Sequence, residues 1–471
     1  MQNFLNQCKS SIGEEYVLLN AEQQAPYLQD WRQRATGKAL AVLRPATPEQ
    51  VAQIVKLCGK YQVPIVPQGG NTGLVLGSIP DQSGNAVVLS LQRLNQIRAI
   101  DLANSTMTVE AGCLLAQIQD AANEQDLLFP LSLASEGSCT IGGNISTNAG
   151  GTAVLRYGNM RDLCLGLEVV TAQGEIWQGL RGLRKDNTGY DLRDLLIGAE
   201  GTLGIITAAV LKLYPKPLSY GTAFIRLNSI QAAVSLLTLA KQHCHTAISG
   251  FELINQLSLQ LVHKHFPQFQ TIFTEESPFY VLLELSGSGT EQATYQQLEQ
   301  LEQLIANALD AQLIEDAVIA NSLAQAKNCW ALRESISAAQ AKEGKNIKHD
   351  ISLPISVIAD FVAETNEALQ QAFPGCRMVT FGHLGDGNLH YNVSPASGAD
   401  HEQFLSNQNQ INRIVHDKTH QFSGSISAEH GIGTLKKEEL LRYKSTVELT
   451  MMRNIKRALD PHNIMNPGKI I

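Results

Sequence analysis

Pro67-Gln68-Gly69-Gly70-Asn71-Thr72-Gly73 follows directly on Val63-Pro64-Ile65-Val66. That short apolar run reads as a buried strand. Small residues at the end of a strand let main-chain N–H groups approach a phosphate closely. Farther along, Gly137-Ser138-Cys139-Thr140-Ile141-Gly142-Gly143-Asn144 has similar chemistry. Its continuation, Ile145-Ser146-Thr147-Asn148-Ala149-Gly150-Gly151, adds hydroxyl and amide groups. Either loop alone reads equally well as an ordinary turn or as a ligand loop. Two in one lobe favour a diphosphate ligand. The sequence has no G-x-G-x-x-G between strand and helix and no G-x-x-x-x-G-K-[ST]. A phosphate-bearing cofactor must therefore sit in a fold other than the Rossmann or P-loop type.

Working outward, residues 48–61 have helical periodicity, with Val51, Ile54, Val55 and Leu57 on one face. Residues 86–91 and 107–110 read as strands and 114–124 as a helix. Residues 135–151 read as one long loop, 167–177 as a hairpin about Gln173-Gly174, and 205–214 as a strand. Pro215-Lys216-Pro217 marks a candidate domain boundary. Beyond it, strand-like runs at 223–227, 249–253, 280–286, 348–353 and 378–381 alternate with helical patterns at 230–242, 292–309, 322–343 and 355–372. This order predicts an α+β chain of two main lobes. The glutamine-rich stretch 292–312 keeps helical periodicity and reads as a solvated helix.

A chain of 471 residues exceeds one ordinary core, so two or three domains are expected. With 44% hydrophobic and 17% charged residues it is a folded globular protein. The formal net charge of -8 argues against a nucleic-acid surface. No run of 18 apolar residues predicts a membrane span, and residues 1–13 lack a signal layout, so a cytoplasmic location is expected. The eight cysteines include no C-x-x-C pair and read as reduced structural thiols. If electrons move, another cofactor must carry them.

The candidate chemistry lies in Gly382-His383-Leu384-Gly385-Asp386-Gly387-Asn388-Leu389-His390-Tyr391-Asn392 and in Ser427-Ala428-Glu429-His430-Gly431. Asp-Gly and Gly-Asn are hairpin-turn signals, so His383 and His390 are expected on adjacent strands facing one pocket. A histidine pair in a turn can be merely structural. Two imidazoles and a carboxylate, however, suit a zinc-type ion with an open position. His430 is then available as a base, or as a fourth ligand. Asp386 reads as a turn residue. In Trp330-Ala331-Leu332-Arg333-Glu334-Ser335-Ile336-Ser337, Arg333 and Ser337 stand four apart on a predicted helix and are expected on one face. Taken singly, Arg333 reads as a surface ion pair with Glu334 or Glu343.

Residues 67–73, 137–151 and Glu200-Gly201-Thr202-Leu203-Gly204-Ile205-Ile206 resemble the FAD-binding domain of the vanillyl-alcohol-oxidase-type (PCMH-type) flavoproteins. Within that superfamily the chain resembles the FAD-linked D-2-hydroxyacid dehydrogenases, most of all those acting on D-2-hydroxyglutarate. The likeness runs from about residue 43 to the end. It includes Arg184-Lys185-Asp186-Asn187-Thr188-Gly189-Tyr190-Asp191 and Asn466-Pro467-Gly468.

The resemblance implies an FAD-binding domain over 1–217 (core about 37–217), an α+β substrate or cap domain over 218–430, and a C-terminal helical segment, 431–471, returning to the first. It implies noncovalent FAD, since relatives with attached flavin often carry His where Asn71 stands. FAD contacts are implied for residues 67–73 with Gly77, Ser78 and Pro130. They are implied too for Gly137, Ser138, Ile141, Gly142, Gly143, Asn144, Thr147, Asn148, Gly150, Gly151, Tyr157 and Gly158. Glu200, Gly201, Gly204, Ile205, Ile206 and Asn466 complete that set. The resemblance makes His383, His390 and Glu429 the metal ligands, for zinc or another divalent ion, and His430 the catalytic base. It puts Arg333, Ser337, Lys348, Asn392 and His430 on the substrate, with Ser337 where the family usually has Thr.

Guanidinium and ammonium groups beyond the metal suit a second carboxylate. The expected reaction is therefore oxidation of D-2-hydroxyglutarate, or a related acid such as D-malate, to the 2-oxo acid. Hydride would pass to flavin N5, and electrons onward to an electron-transfer flavoprotein, a quinone or a similar acceptor. Alternatives are an acceptor-linked D-lactate dehydrogenase and a non-redox flavin transferase of the same fold. A noncatalytic flavin- or metal-binding module fits less well, since storage needs no base. A homodimer is a further expectation to test.

Overall fold

The computed structural model describes residues 1–244, 247–287 and 291–471. They form two compact units. The first comprises Met1–Gly151, Tyr157–Lys216 and Glu429–Ile471, and the second Thr152–Arg156 and Pro217–Ala428. Three details differ from the sequence-based division, the first being that Pro217 opens the second unit. Thr152–Arg156 belongs with the second unit, and the return to the first begins at Glu429 rather than at residue 431.

In the first unit, β1 (Val17–Leu18), β2 (Ala41–Leu43), β3 (Ile65–Gln68) and β4 (Val87–Ser90) form a sheet in the order β1-β2-β4-β3. Strand β4 runs parallel to both β2 and β3. Parallel neighbours need a crossover, and the helix Pro48–Tyr61 supplies it between β2 and β3. Thr47 caps its start, with Pro48 at the first turn, and Gln62 ends it in the left-handed region. Its inner face buries Val51, Ala52, Ile54, Val55 and Cys58. A second, antiparallel sheet contains β5 (Ile97–Asp101), β6 (Thr106–Glu110), β8 (Cys164–Val170), β9 (Ile176–Gly179) and β10 (Ile205–Lys212) in the order β5-β6-β10-β8-β9. A small ribbon joins β7 (Leu127–Leu128) to β11 (Tyr214–Pro215).

The expected long loop 135–151 is not all loop, because Ile141–Ser146 is a short helix. Its two glycines disfavour a helix by propensity. Packing explains their presence: a Cβ on Gly142 would stand 2.6 Å from the Ala111 Cβ. Close approach overrides propensity here.

The second unit is built on a seven-stranded sheet in which each neighbouring pair is antiparallel. Its strands are β12 (Ser219–Leu227), β13 (Ile248–Asn255), β14 (Phe279–Gly287), β15 (Asp316–Ile319), β16 (Asp350–Ser352), β17 (Arg377–His383) and β18 (Asn388–Ser394). Their order is β15-β12-β14-β13-β17-β18-β16. One face buries Phe251, Leu253, Leu389, Tyr391 and Val393 with the helices Ile230–Cys244, Glu291–Asp310 and Ile358–Ala372. The other buries Ile254, Val379 and Phe381 with Gln256–His265, Leu323–Glu334 and Ile336–Glu343.

The last two helices correct the single helix expected over 322–343. Ser335 closes the first and opens the second, with ψ flattened to -11°. The shared face expected of Arg333 and Ser337 does not survive the break. Arg333 is buried and Ser337 exposed.

Candidate functional site

The first unit holds a solvent-open cavity of about 130 Å³. The chain from Pro67 to Gly73 lines it, with Gly77, Ser78, Gly142, Gly143, Asn144 and Thr147. Glu200, Gly201, Gly204, Ile205, Ile206 and His430 complete the predicted residues found there. The two Gly-rich loops meet at its wall. A Cβ on Gly70 would lie 2.0 Å from the Ser138 carbonyl oxygen, and one on Gly69 2.2 Å from the Thr140 hydroxyl. The glycine pattern thus serves loop-to-loop contact as well as access to a ligand.

Several residues expected at the cofactor support the wall instead of lining it. Asn466 donates its amide to the Gly77 and Glu200 carbonyls at 2.9 and 2.8 Å. Asn148 accepts from the Arg161 N–H. Tyr157 packs edge-on against Tyr214. Ile141 and Pro130 are buried, and Gly158 has φ +78°. Gly137, Ser138, Gly150 and Gly151 also fall outside the lining. Conversely, Val75, Leu91, Ala111, Thr140 and Ser146 line the cavity unpredicted. The apolar ones carry no signal beyond that of core residues.

The cavity fits FAD in its donor chemistry. The Thr140 hydroxyl is buried in its wall with no hydrogen-bond partner among the described residues. Among the described residues no lysine or arginine lines the cavity, so main-chain N–H groups would meet the phosphates. Asn71 sits in the left-handed region at φ 53°. Its amide donates to the Gln29 carbonyl at 2.9 Å and its oxygen accepts from the Ser78 hydroxyl at 3.0 Å. A carboxamide so placed offers no imidazole for a covalent flavin link.

Glu200 joins this cavity to the base candidate. Its carboxylate accepts the Ile432 and Gly433 N–H groups at 2.7 and 2.8 Å, just past His430. Burial raises its pKa, and those two N–H groups partly offset the effect.

In the second unit, strand register assembles the other candidates. Phe381 pairs with His390, Glu252 with His383, and Asp350 with His390. Alternation then sets Glu252, Phe381, His383, His390 and Asn392 on the face covered by the helices Leu323–Glu334 and Ile336–Glu343. The pairs Asp350–His390 and Ile347–Val393 put Lys348 opposite Asn392, on that same face. The turn between the histidines is a hairpin, and Asp386 accepts the Asn388 N–H at 3.0 Å. Burial raises the Asp386 pKa, opposed by nearby His383.

Donor atoms of His383, His390 and Glu429 lie within 4.8 Å of one another. Glu429 is bonded to Ala428, the last residue of the second unit. Among the described residues this is the one such cluster of His, Cys, Asp or Glu. Two imidazoles and a carboxylate form a suitable set for zinc with an open position.

Glu252 escaped the sequence reading. One of its oxygens lies 2.6 Å from His383 Nδ1. The other takes Arg333 Nε and Nη2, both at 2.7 Å. Burial raises the Glu252 pKa, yet His383 and Arg333 outweigh burial and hold it well below the ordinary range. Arg333 is therefore a buried partner of Glu252, not merely a surface residue. Its guanidinium lies 4.9 Å over the Phe381 ring. The signal for Glu252 was present as a lone charge in the apolar run Phe251-Glu252-Leu253-Ile254.

His390 is held differently, with Asp350 3.8 Å from its Nδ1, too far for a hydrogen bond. Asn392 is buried, donates to Gln340 at 3.0 Å and accepts the His349 N–H at 3.2 Å. Lys348 and Ser337 are exposed.

A cofactor cavity between Gly-rich loops, followed in sequence by a segment bearing a histidine-carboxylate cluster, defines the class. It is that of the FAD-linked oxidoreductases. Residues 39–179 match the FAD binding domain family, and residues 216–470 match the C-terminal domain family of FAD linked oxidases.

D-2-hydroxyglutarate dehydrogenase, mitochondrial, of Danio rerio is 39% identical over 94% of this chain and 80% of its own. D-2-hydroxyglutarate dehydrogenase of Xanthomonas citri pv. viticola is 39% identical over 94% and 92%. A putative mitochondrial D-lactate dehydrogenase of Schizosaccharomyces pombe is 36% identical over 94% and 84%. The chain belongs to this family of FAD-linked D-2-hydroxyglutarate and D-lactate dehydrogenases, and it is an oxidoreductase.

Among solved structures, substrate-bound p-cresol methylhydroxylase aligns with TM-score 0.76 at 18% identity, over 100% of this chain and 96% of its own. An alkyldihydroxyacetonephosphate synthase aligns at 0.74 and 16%, over 99% and 84%. At such identities the likeness is one of fold. No helix among the described residues is long and apolar enough to cross a membrane.

Proposed function

We propose that the protein is a metal-dependent D-2-hydroxyglutarate dehydrogenase that returns electrons to an acceptor other than NAD. The observation that carries this reading is the three-donor cluster of His383, His390 and Glu429. Residues 67–73, Gly142, Gly143 and Thr140 would hold FAD, and the cluster a divalent ion, with zinc suited to the donor set. When bound, FAD supplies a hydride acceptor at N5 and the ion supplies Lewis acidity toward the substrate hydroxyl.

The chain's own residues do the rest. His430 takes the hydroxyl proton as the carbon loses its hydride, giving the 2-oxo acid. Neutral imidazole suits this near pH 7. Glu200 steadies the chain beyond His430 through the two N–H groups it accepts. Lys348 and the Arg333 edge not taken by Glu252 bind the distal carboxylate. Asn392, fixed by Gln340 and the His349 main chain, offers an already oriented amide. An electron-transfer flavoprotein or a quinone is the acceptor class this chemistry calls for.

The deciding experiment is anaerobic flavin bleaching of FAD-loaded protein by D-2-hydroxyglutarate, D-malate and D-lactate, with and without chelator. Chelator-sensitive bleaching by D-2-hydroxyglutarate supports the reading. Chelator-insensitive bleaching refutes the metal, and no bleaching by any D-hydroxy acid refutes the whole.

One observation favours D-lactate as the competing substrate. Arg333 already spends two donors on Glu252, which leaves it fewer for a distal carboxylate. The ratio of kcat/KM for the two acids decides between them.

A further inference from the structure

We propose that Glu252 is a positioning residue that sets His383 for metal binding and Arg333 for anion binding through one carboxylate. The proposal rests on the reading of His383 as a metal ligand. A ligating imidazole coordinates through one ring nitrogen, and the hydrogen bond made by the other fixes tautomer and ring orientation. Glu252 Oε1, 2.6 Å from His383 Nδ1, directs the proton to Nδ1 and leaves Nε2 as the donor atom. At His390 the Asp350 carboxylate stands 3.8 Å from Nδ1. The loss of Glu252 would therefore fall on His383.

The second oxygen binds Arg333 along its Nε–Nη2 edge. Phe381 lies beneath the guanidinium plane. The N–H groups off that edge would be the ones left for an anion, in an orientation that Glu252 and Phe381 fix together. Glu252 is fully buried and Arg333 nearly so, so neither is free to swing away. A shift of Glu252 toward one partner must change its grip on the other. Metal affinity and carboxylate affinity are coupled through it, and such coupling is reciprocal.

The test is zinc affinity, measured on FAD-loaded protein stripped of metal, by competition with a chromogenic chelator. Outer-sphere partners of this kind change metal affinity about 10- to 100-fold. Glu252→Gln should weaken zinc by that factor. Because it leaves Arg333 buried without its carboxylate, the fold could suffer. The double variant Glu252→Gln/Arg333→Met removes both charges and should show the same zinc loss in a folded, flavin-bearing protein. Arg333→Met alone should hold zinc within about threefold of the parent, an expectation set by the size of the effect above.

Parental zinc affinity in the double variant overturns the proposal. A zinc loss in Arg333→Met as large as in the double variant overturns it too, since it would trace the effect to Arg333. His383→Ala is the separate control. If the parent binds zinc no better than His383→Ala, the metal reading itself fails. If His383→Ala abolishes binding while the double variant is normal, only the role of Glu252 fails. For coupling, 2-oxoglutarate should tighten zinc binding in the parent and not in the double variant. Equal enhancement in both refutes the linkage.

Discussion

Glu200 offers the sharpest test of how the cavity serves the base. Its two oxygens hold the Ile432 and Gly433 N–H groups at 2.7 and 2.8 Å. Hydrogen bonds to a charged group contribute roughly 1.5–3 kcal/mol each. Glu200→Ala thus removes about 3–6 kcal/mol of anchorage from the segment that carries His430. Glu200→Gln keeps one acceptor and loses one bond, roughly 1.5–3 kcal/mol, or about 10- to 150-fold in the docked population of that segment.

Glu200 lies in the left-handed region at φ 50°, a conformation that costs energy outside glycine and persists where neighbours enforce it. Gly431 has no room to rescue the contact. With φ +80°, a Cβ there would stand 2.7 Å from Glu200 Oε1. The assay is kcat for D-2-hydroxyglutarate with an artificial acceptor at saturating FAD, with flavin content measured in parallel. The expected fall is up to about 100-fold for Gln and larger for Ala, without loss of bound flavin in the Gln variant. Turnover within twofold of the parent in both variants would refute the reasoning.

Four further outcomes follow from the geometry. Gly70→Ala should lose flavin, since its Cβ would lie 2.0 Å from the Ser138 carbonyl; the flavin-to-protein absorbance ratio reads this directly. Chelation should abolish turnover, and added zinc should restore it in the parent but not in His390→Ala. Lys348→Ala should raise KM for D-2-hydroxyglutarate about tenfold, the order expected for losing one charged hydrogen bond, and leave D-lactate nearly unchanged; equal losses sink the clamp.

The pH test concerns Glu343. Burial raises its pKa, but Lys264, His265 and Arg377 outweigh that and hold it at about 2. A depressed folded pKa stabilises above the unfolded value of about 4.3 and ceases to do so as pH falls through the folded one. The Tm deficit of Glu343→Gln should therefore be largest near pH 6–7 and shrink between about pH 4.5 and pH 2. A deficit constant across that window counts against the assignment.

Local signals were legible in the sequence. The helix Pro48–Tyr61 is marked by cap, proline and periodicity together, and the hairpin between His383 and His390 by its turn residues. The Gly-rich loops were legible as a pair, though not their mutual contact. What stayed hidden depends on chain distance. Glu252 meets His383 across 131 positions and Arg333 across 81, and no local pattern encodes such a meeting. The helix expected at 322–343 failed at Ser335, whose flattened ψ no propensity rule announces. Asn466 was expected at the cofactor from the resemblance alone, and the bracing of the Gly77 and Glu200 carbonyls by its amide was not legible.

That brace has a consequence for biosynthesis. Residues 429–471 belong to the first unit, yet residues 217–428 are translated before them. Met465 bridges Ile65, and Lys469 reaches the Ile79 carbonyl. At ordinary rates of synthesis the ribosome needs roughly 10–40 s to pass the intervening stretch. Throughout that interval the nascent nucleotide lobe lacks the segment that braces its cavity. Flavin binding that needs the Asn466 brace must therefore wait until the end of the chain has left the ribosome.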